Sequence, residues 1–153
     1  MRLGDELNDP GLQGEACWAM TCTLFYTGRF AEAAAQARRG ISIHDAHPDC
    51  WRPFAAVAGQ SAAVCERAYL ALSLFCLGER EAALPYSQDA VALARRTKDP
   101  FSLAMALYHG AWLRLWCGMA DELKDLSEEG LTLCRELSFH FYSVIQQIGR
   151  AHV

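Results

Sequence analysis

Residues 69–83 read YLALSLFCLGEREAA: an uncharged apolar run, a glycine at Gly78, and then a polar segment with small residues. This order predicts a helix, a tight turn and a second helix. The same pattern surrounds Gly28 as TLFYTGRFAEA and Gly118 as LRLWCGMADEL. Three copies of one helix-turn-helix unit indicate a repeat architecture, in which each unit buries its apolar face against the next.

Two Asp-Pro pairs predict where helices of the first and third units begin. Asp9 and Asp99 each stand nineteen residues before a turn glycine, and each precedes a proline. Aspartate is a favoured N-cap, and proline is tolerated in the first helical turn because its missing N–H is not needed there. We therefore expect helices of about 17 residues between each Asp-Pro pair and its glycine.

The second helix of each unit carries mostly small residues five and twelve places beyond the glycine, with Leu123 as the exception. Large apolar residues follow directly, as at Ile41, Val91 and Leu131. A small stripe beside a large stripe allows a neighbouring helix to approach closely. The residues assigned to repeat packing are the turn glycines and this small stripe: Gly28, Ala33, Gly40, Gly78, Ala83, Ala90, Gly118 and Gly130.

Two features interrupt the regular pattern. Residues 44–60, HDAHPDCWRPFAAVAGQ, contain two prolines and a glycine, which predicts a loop or irregular link between the first two units. Pro85 falls seven residues past Gly78, where an interior proline costs about 3 kcal/mol. We expect either a late helix start or a kink at Pro85.

Composition limits the classes of function. A chain of 153 residues with 52% hydrophobic residues is expected to form one domain. The net charge of −4 and the lack of long basic runs argue against nucleic acid as a partner. A polar, acidic N-terminus and the lack of an apolar run of about 18 residues argue against a signal peptide and a membrane span. Seven cysteines, mostly within apolar runs, favour reduced core thiols and a cytoplasmic location.

The helix-glycine-helix unit resembles the tetratricopeptide repeat, a helical hairpin of about 34 residues. GRFAEA, which begins at Gly28, fits the turn of that family well, whereas GEREAA at Gly78 has arginine in the aromatic position. The period of forty residues between Gly78 and Gly118 is longer than that of the family. This difference leaves other helical repeats, including HEAT-like repeats, as alternatives.

A second resemblance covers residues 1 to about 147. LGDELNDPGLQGEA, TLFYTGRFAEA, GQSAAVCERAYLALSLFCLG and DPFSLAMALYHGAWL are similar to long helical regions of large bacterial signalling ATPases. Those proteins include ones associated with class III adenylate or guanylate cyclase domains, and related transcription activators. At Ser61-Ala62 the chain departs from the Asp-Pro expected there. The resemblance implies a regulatory module whose catalytic domains lie elsewhere in a parent protein.

We therefore expect an all-α fold, a right-handed α-solenoid of about three tetratricopeptide-like helix pairs with a partial helix at each end. The domain is expected to span residues 1–147 of a longer parent, with repeats at about 10–44, 60–98 and 99–138. Residues 139–147 would begin a further helix. The final IGRAHV, residues 148–153, resembles a translated sequencing adapter and is expected to be a non-native tail.

Motifs for catalysis, cofactors or metals are absent from the sequence: it has no phosphate-binding loop, dinucleotide fingerprint or HExxH helix. We expect no catalytic residues, no cofactor and no metal. One local cluster contains ligand types, namely His44, Asp45, His47, Asp49 and Cys50. A zinc site needs four converging ligands, so we interpret these residues mainly as ordinary polar residues of a loop.

Residues of the first helices are the candidates for a partner groove: Trp18, Tyr26, Arg67, Tyr108, Trp112 and Arg114. Aromatic and arginine side chains make good anchors for a partner, although such aromatics also pack between repeats. For Arg67 and Arg114, a solvated helix face and a carboxylate-binding groove are equally good explanations. The expected function is a non-catalytic scaffold for a protein or another domain of the same polypeptide. The alternatives are a piece of a cyclase or ATPase and a self-association module that uses exposed solenoid ends.

Overall fold

The computed structural model describes residues 6–139 and residue 147, and it is all-helical, with no strand among those residues. The long helices have 15 to 18 residues each, and one short helix of seven residues lies between the second and the third of them. In chain order the helices are α1 (Pro10–Tyr26), α2 (Phe30–Ala46), α3 (Arg52–Ala58), α4 (Ala62–Cys76), α5 (Arg80–Thr97), α6 (Pro100–Cys117) and α7 (Ala120–Glu136).

The predicted start signals of α1 and α6 are confirmed. Asp9 Oδ1 accepts hydrogen bonds from the backbone N–H groups of Gly11 at 2.8 Å and Leu12 at 3.1 Å. Asp99 Oδ2 accepts one from the backbone N–H of Ser102 at 3.2 Å. Each carboxylate therefore satisfies N–H groups that the first turn of a helix leaves without an intrahelical partner.

The three glycine turns share one backbone geometry. Gly28, Gly78 and Gly118 have φ values of +77°, +85° and +68°, in the left-handed region that glycine adopts without strain. At each turn the residue after the glycine donates its N–H to a carbonyl five residues back, at 2.9 to 3.0 Å. This bond closes the end of the preceding helix and turns the chain into the next one.

The long helices that follow one another in sequence pack against each other, and α4 lies at the centre of the packing. Contacts join α1 to α2, α4 to α5 and α6 to α7, and further contacts join α2 to α4 and α5 to α6. Helix α4 also contacts α1 and α6. Every residue from Ala62 to Leu74 is buried, so α4 has no solvated stripe over most of its length.

The small stripe of the second helices lies inside the protein. Ala33, Ala83 and Ala90 are at most 1% exposed, and Gly40 and Gly130 are buried. The large side chains that fill the core come mainly from α4 and α6, including Leu70, Leu72, Leu74, Leu107 and Leu113.

Two sequence predictions are corrected. The link at residues 44–60 is largely helical, because α2 continues through Ala46 and α3 occupies Arg52–Ala58. Of the two alternatives for Pro85, the late helix start is wrong, because α5 begins at Arg80 and continues through Pro85, and the kink stays a prediction. Pro85 lacks the N–H that would bond the carbonyl of Glu81, but both residues are exposed, and water can solvate that carbonyl.

Some predictions fall on residues that the structure does not describe. The N-terminal partial helix lies outside the described residues except for residues 6 and 7, which are helical. The further helix from residue 139 and the tail 148–153 also lie outside them, apart from Phe139 and residue 147. Among the described helices, none is both long enough and apolar enough to cross a bilayer.

Candidate functional site

A row of aromatic rings runs along α6 and continues onto α4. Tyr108, Trp112 and Trp116 are spaced four residues apart, which places them on one face of the helix. The Tyr108 and Trp112 rings stack with centroids 5.7 Å apart, and those of Trp112 and Trp116 lie 4.8 Å apart. Phe75 stacks on Trp116 at 5.3 Å. All four side chains are partly accessible to solvent.

Tyr26 extends this row onto α1. Its side chain is 65% exposed, and its hydroxyl lies 3.2 Å from that of the buried Tyr69. The ring of Phe25 connects Tyr26 to the row on α6. Its centroid lies 5.4 Å from that of Tyr26 and 6.4 Å from that of Trp112. We define the aromatic surface as Tyr26, Phe75, Tyr108, Trp112 and Trp116.

The aromatic surface includes three of the groove candidates predicted from the sequence, namely Tyr26, Tyr108 and Trp112. Trp18 is placed differently: it is half-buried and packs against the part of the core formed by α4, α5 and α6. Its indole Nε1 is buried and has no hydrogen-bond partner within the described chain.

The interpretation of Arg67 as a solvated side chain is wrong. Arg67 is only 6% exposed, and its guanidinium binds carboxylates of two other helices. Nε donates to Asp89 of α5 at 2.5 Å, and Nη2 donates to Asp45 of α2. Nη1 donates to the carbonyl of Ala63 at 2.9 Å. Arg67 does bind carboxylates, but they belong to its own chain, and they fix α4 between α2 and α5.

Arg114 is corrected in the same way. It is 3% exposed; its Nη1 donates to Ser87 Oγ of α5 at 2.7 Å, and its Nε donates to Glu122 of α7 at 3.2 Å. The sequence could not show these partners, because they lie on other helices. Neither arginine belongs to the aromatic surface as an anchor for a partner.

A buried acid that the sequence analysis missed lies between α2 and α4. Glu66 is 0% exposed, and neither carboxyl oxygen has a hydrogen-bond partner in the described part of the chain. It packs against Gly40, where a Cβ would lie 1.7 Å from Oε1. The ring of His44 packs in the same way against Gly14 of α1, where a Cβ would lie 2.6 Å from the ring. The two glycines thus leave the space that these polar side chains occupy.

Glu66 and His44 face each other as an uncharged pair. Burial raises the pKa of Glu66 to about 9, although the charge of Arg67 opposes the rise. Burial, helped by Arg67, lowers the pKa of His44 to about 4. His44 Nε2 and Glu66 Oε2 lie 3.5 Å apart without a hydrogen bond. At neutral pH the acid is therefore protonated and the imidazole neutral, so the contact is not an ion pair.

Cys50 completes an arrangement that resembles a thiol nucleophile with its base and orienting acid. Its Sγ lies 3.3 Å from His44 Nδ1, on the other side of the ring from Glu66. The electrostatics oppose such a role, because burial raises the pKa of the Cys50 thiol while it lowers that of the imidazole. A neutral thiol beside a weak base is not an activated nucleophile.

The cysteine–histidine contact leads to a labelling prediction. Iodoacetamide should modify Cys76 at least about three times faster than Cys50, because Cys76 is exposed and Cys50 only partly so, while burial raises the pKa of both thiols. Peptide mass spectrometry at pH 7.5 over a time course would measure both rates in the same sample. The buried Cys17 serves as the slow reference. Faster labelling of Cys50 than of Cys76 would contradict the prediction and would show that His44 activates the thiol.

The residues of the link at 44–60 whose side chains could bind a metal do not come together as a metal site. His44 points into the protein, whereas Asp45, His47 and Asp49 are exposed. No three His, Cys, Asp or Glu side chains within the described residues are arranged to hold a metal ion. The one sequence signal for the buried cluster was Glu66 itself, which is the single acidic residue of α4 and stands beside Arg67 in a mainly apolar run.

No protein-family model matches this chain, and no curated protein is similar to it. What the chain does must therefore be inferred from its own residues, of which the aromatic surface and the buried acid are the most distinctive.

Proposed function

We propose that the chain is a tetratricopeptide-like α-solenoid that binds a protein partner and has no catalytic activity of its own. The partner would be another domain of the same polypeptide or a separate protein of a bacterial signalling system. The three matching glycine turns and the packing of helices adjacent in sequence support the repeat architecture. The resemblance to regions of bacterial signalling ATPases supports the biological setting.

The aromatic surface is the observation that carries this proposal. Aromatic side chains held by packed helices lose little conformational entropy when a partner binds, and they contribute a large apolar area. The indole Nε1 atoms of Trp112 and Trp116 have no hydrogen-bond partner among the described residues, so they can donate to a partner. Three helices supply the surface, which makes it part of the scaffold rather than of a loop.

The partner to test first is the polypeptide encoded next to this chain in its gene. Isothermal titration with the two purified segments would give the dissociation constant. Replacing Tyr26 or Trp112 with alanine should weaken binding at least about tenfold, because anchors of this kind typically contribute 2 kcal/mol or more. Tyr26 is the cleaner position, because its side chain is mostly exposed and its loss should leave the fold intact.

Val57→Ala is the matched control, because Val57 is 91% exposed on α3 and lies outside the aromatic surface. Its affinity should equal that of the unmodified chain. Equal binding by the Tyr26, Trp112 and Val57 variants would overturn the aromatic surface as the binding site. Nucleotide hydrolysis or cyclisation by the purified chain would instead support the enzyme alternative. Concentration-dependent light scattering that the Tyr26 change leaves intact would support self-association elsewhere.

A further inference from the structure

A small pocket lies between α5, α6 and α7, apart from the aromatic surface. Its volume is about 160 Å³. Since one water molecule takes up about 30 Å³ in the liquid, the pocket matches roughly five waters or a carboxylic acid of four or five carbons. The lining residues are Ser87, Gln88, Val91, Arg95, Arg114 and Leu126.

Arg114 supplies a buried cation at this pocket. Its guanidinium has five N–H donors, of which Nε donates to Glu122 and Nη1 to Ser87. Within the described chain no hydrogen bond is formed by Nη2, so its two N–H groups are unused. A guanidinium that is 3% exposed and has unused donors is under-satisfied, and an oxyanion is the group that fits it best.

Arg95 adds a second cation from α5. Its side chain is 54% exposed, and Nη2 donates to both carboxylate oxygens of Glu129 at 2.9 and 2.7 Å. The carboxylates paired with the two arginines, Glu122 and Glu129, both belong to α7 and are 49% and 40% exposed. Either carboxylate can turn into water when a ligand takes its place, at little desolvation cost.

Apolar side chains form the remaining wall. Val91 is 6% exposed, and Leu126 is partly buried beside it. A purely inorganic anion would leave this wall in contact with water, whereas a branched aliphatic chain would cover it. The ligand that fits both parts of the pocket therefore has a carboxylate attached to a short aliphatic group.

We propose that this pocket binds an aliphatic carboxylate, with the oxyanion on Arg114 and Arg95 and the hydrocarbon on Val91 and Leu126. Two sources share this chemistry: a free short-chain acid, and the C-terminal carboxylate of a peptide that ends in an aliphatic residue. The inference does not depend on the proposed function of the aromatic surface, because the two sites share no residue.

The test is a titration of the ¹⁵N-labelled protein with isovalerate, followed by the amide shifts of Ser87, Gln88 and Val91. Isovalerate should shift these signals with saturation, and the neutral isosteric isovaleramide should not. Arg95→Gln should weaken binding at least about tenfold, since it removes a charged donor. Arg95 is half-exposed, so this change should not disturb folding. Glu129→Gln should tighten binding about threefold, because it removes a charged competitor for Arg95.

Arg96→Gln is the matched control, with the same charge change at the next, exposed position of α5. It should leave the affinity unchanged. An equal loss of isovalerate affinity in the Arg95 and Arg96 variants would mean that only the net charge of the protein matters. That result would overturn the proposal. Equal binding of isovaleramide or of inorganic phosphate would overturn it as well. A peptide ending in valine, tested with a free and with an amidated C-terminus, distinguishes the sources: tighter binding than isovalerate assigns the site to a peptide, and weaker binding to a free acid.

Discussion

Replacing Gly40 with alanine is expected to destabilise the protein by about 2 to 3 kcal/mol, near the upper end of the cost of overpacking a core. A methyl group at this position would lie 1.7 Å from Oε1 and 2.2 Å from the carboxyl carbon of Glu66. The carboxyl group is the end of a flexible side chain, but it is fully buried, so any movement has to displace packed neighbours. Helix α2 would have to move away from α4, or Glu66 would have to be expelled from the core.

Urea denaturation followed by circular dichroism would measure this loss. Gly110→Ala is the matched control, because Gly110 is also a buried helical glycine. There the added methyl group would lie 3.3 Å from Leu126 Cδ1 and in ordinary contact with Ser87 Oγ at 3.5 Å and Val91 Cγ2 at 3.8 Å. The gain in helix propensity should offset the small repacking, so we expect a change within about 1 kcal/mol. Similar losses at both positions would refute the assigned clash.

A double variant identifies Glu66 as the cause of the clash. Glu66→Ala alone should be costly, because it leaves a cavity. In Gly40→Ala/Glu66→Ala the new methyl group occupies part of that cavity. The combined loss should therefore be smaller than the sum of the single losses by about 1 to 2 kcal/mol. Additive losses would mean that the methyl group at position 40 collides with something other than Glu66.

The sequence predicted the local features of the fold because local chemistry determines them. Gly28, Gly78 and Gly118 were recognised as turns, and each has the left-handed backbone that favours glycine. Asp9 and Asp99 were recognised as helix starts, and each carboxylate caps its helix. Turn and cap signals depend on residues a few positions apart, and the sequence displays those directly.

The sequence could not show the partners that come from other helices. Arg67 meets Asp45 and Asp89, each 22 residues away, and Arg114 meets Ser87, 27 residues away. A charge within an apolar run is compatible with a solvated face or with a buried pair, and only the packing of the helices decides between them. Gly40 was assigned to helix packing, whereas its specific neighbour, Glu66, depends on the register of α2 against α4.

The stability of the protein should fall as the pH rises from 7 to 9, by about 2 to 3 kcal/mol from Glu66 alone. Burial raises the pKa of Glu66 to about 9, from an ordinary value of 4.5. Between pH 4.5 and pH 9, Glu66 of the folded protein keeps a proton that Glu66 of the unfolded chain has lost. Unfolding therefore releases a proton, and a higher pH favours the unfolded chain.

Below pH 6.5 two histidines oppose this trend. Burial lowers the pKa values of His44 and His109 to about 4, so from pH 4 to 6.5 the unfolded chain binds protons that the folded protein does not. These two histidines make stability rise with pH. Two buried acids make it fall, namely Glu66 and Glu15, and burial raises the pKa of Glu15 to about 7. The four contributions nearly cancel between pH 5 and 6.5. The decline should therefore become visible only above about pH 6.5.

Glu66→Gln isolates the contribution of the buried acid, because the amide has nearly the same shape and stays neutral. The unfolded chain ionises Glu66 above about pH 4.5, whereas glutamine stays neutral in both states, so the variant should begin to exceed the unmodified protein in stability near that pH. This difference should grow with pH up to about pH 9 and should increase by about 2 kcal/mol between pH 7 and pH 9. Burial raises the pKa values of the Cys22 and Cys65 thiols in both proteins, and the charge of Glu66 adds to the rise only in the unmodified protein. Urea titrations at half-unit pH steps would measure the difference in stability, with Glu136→Gln as the control at an exposed carboxylate. Parallel pH profiles for Glu66→Gln and the unmodified protein would show that Glu66 is ionised in the folded state as it is in the unfolded chain.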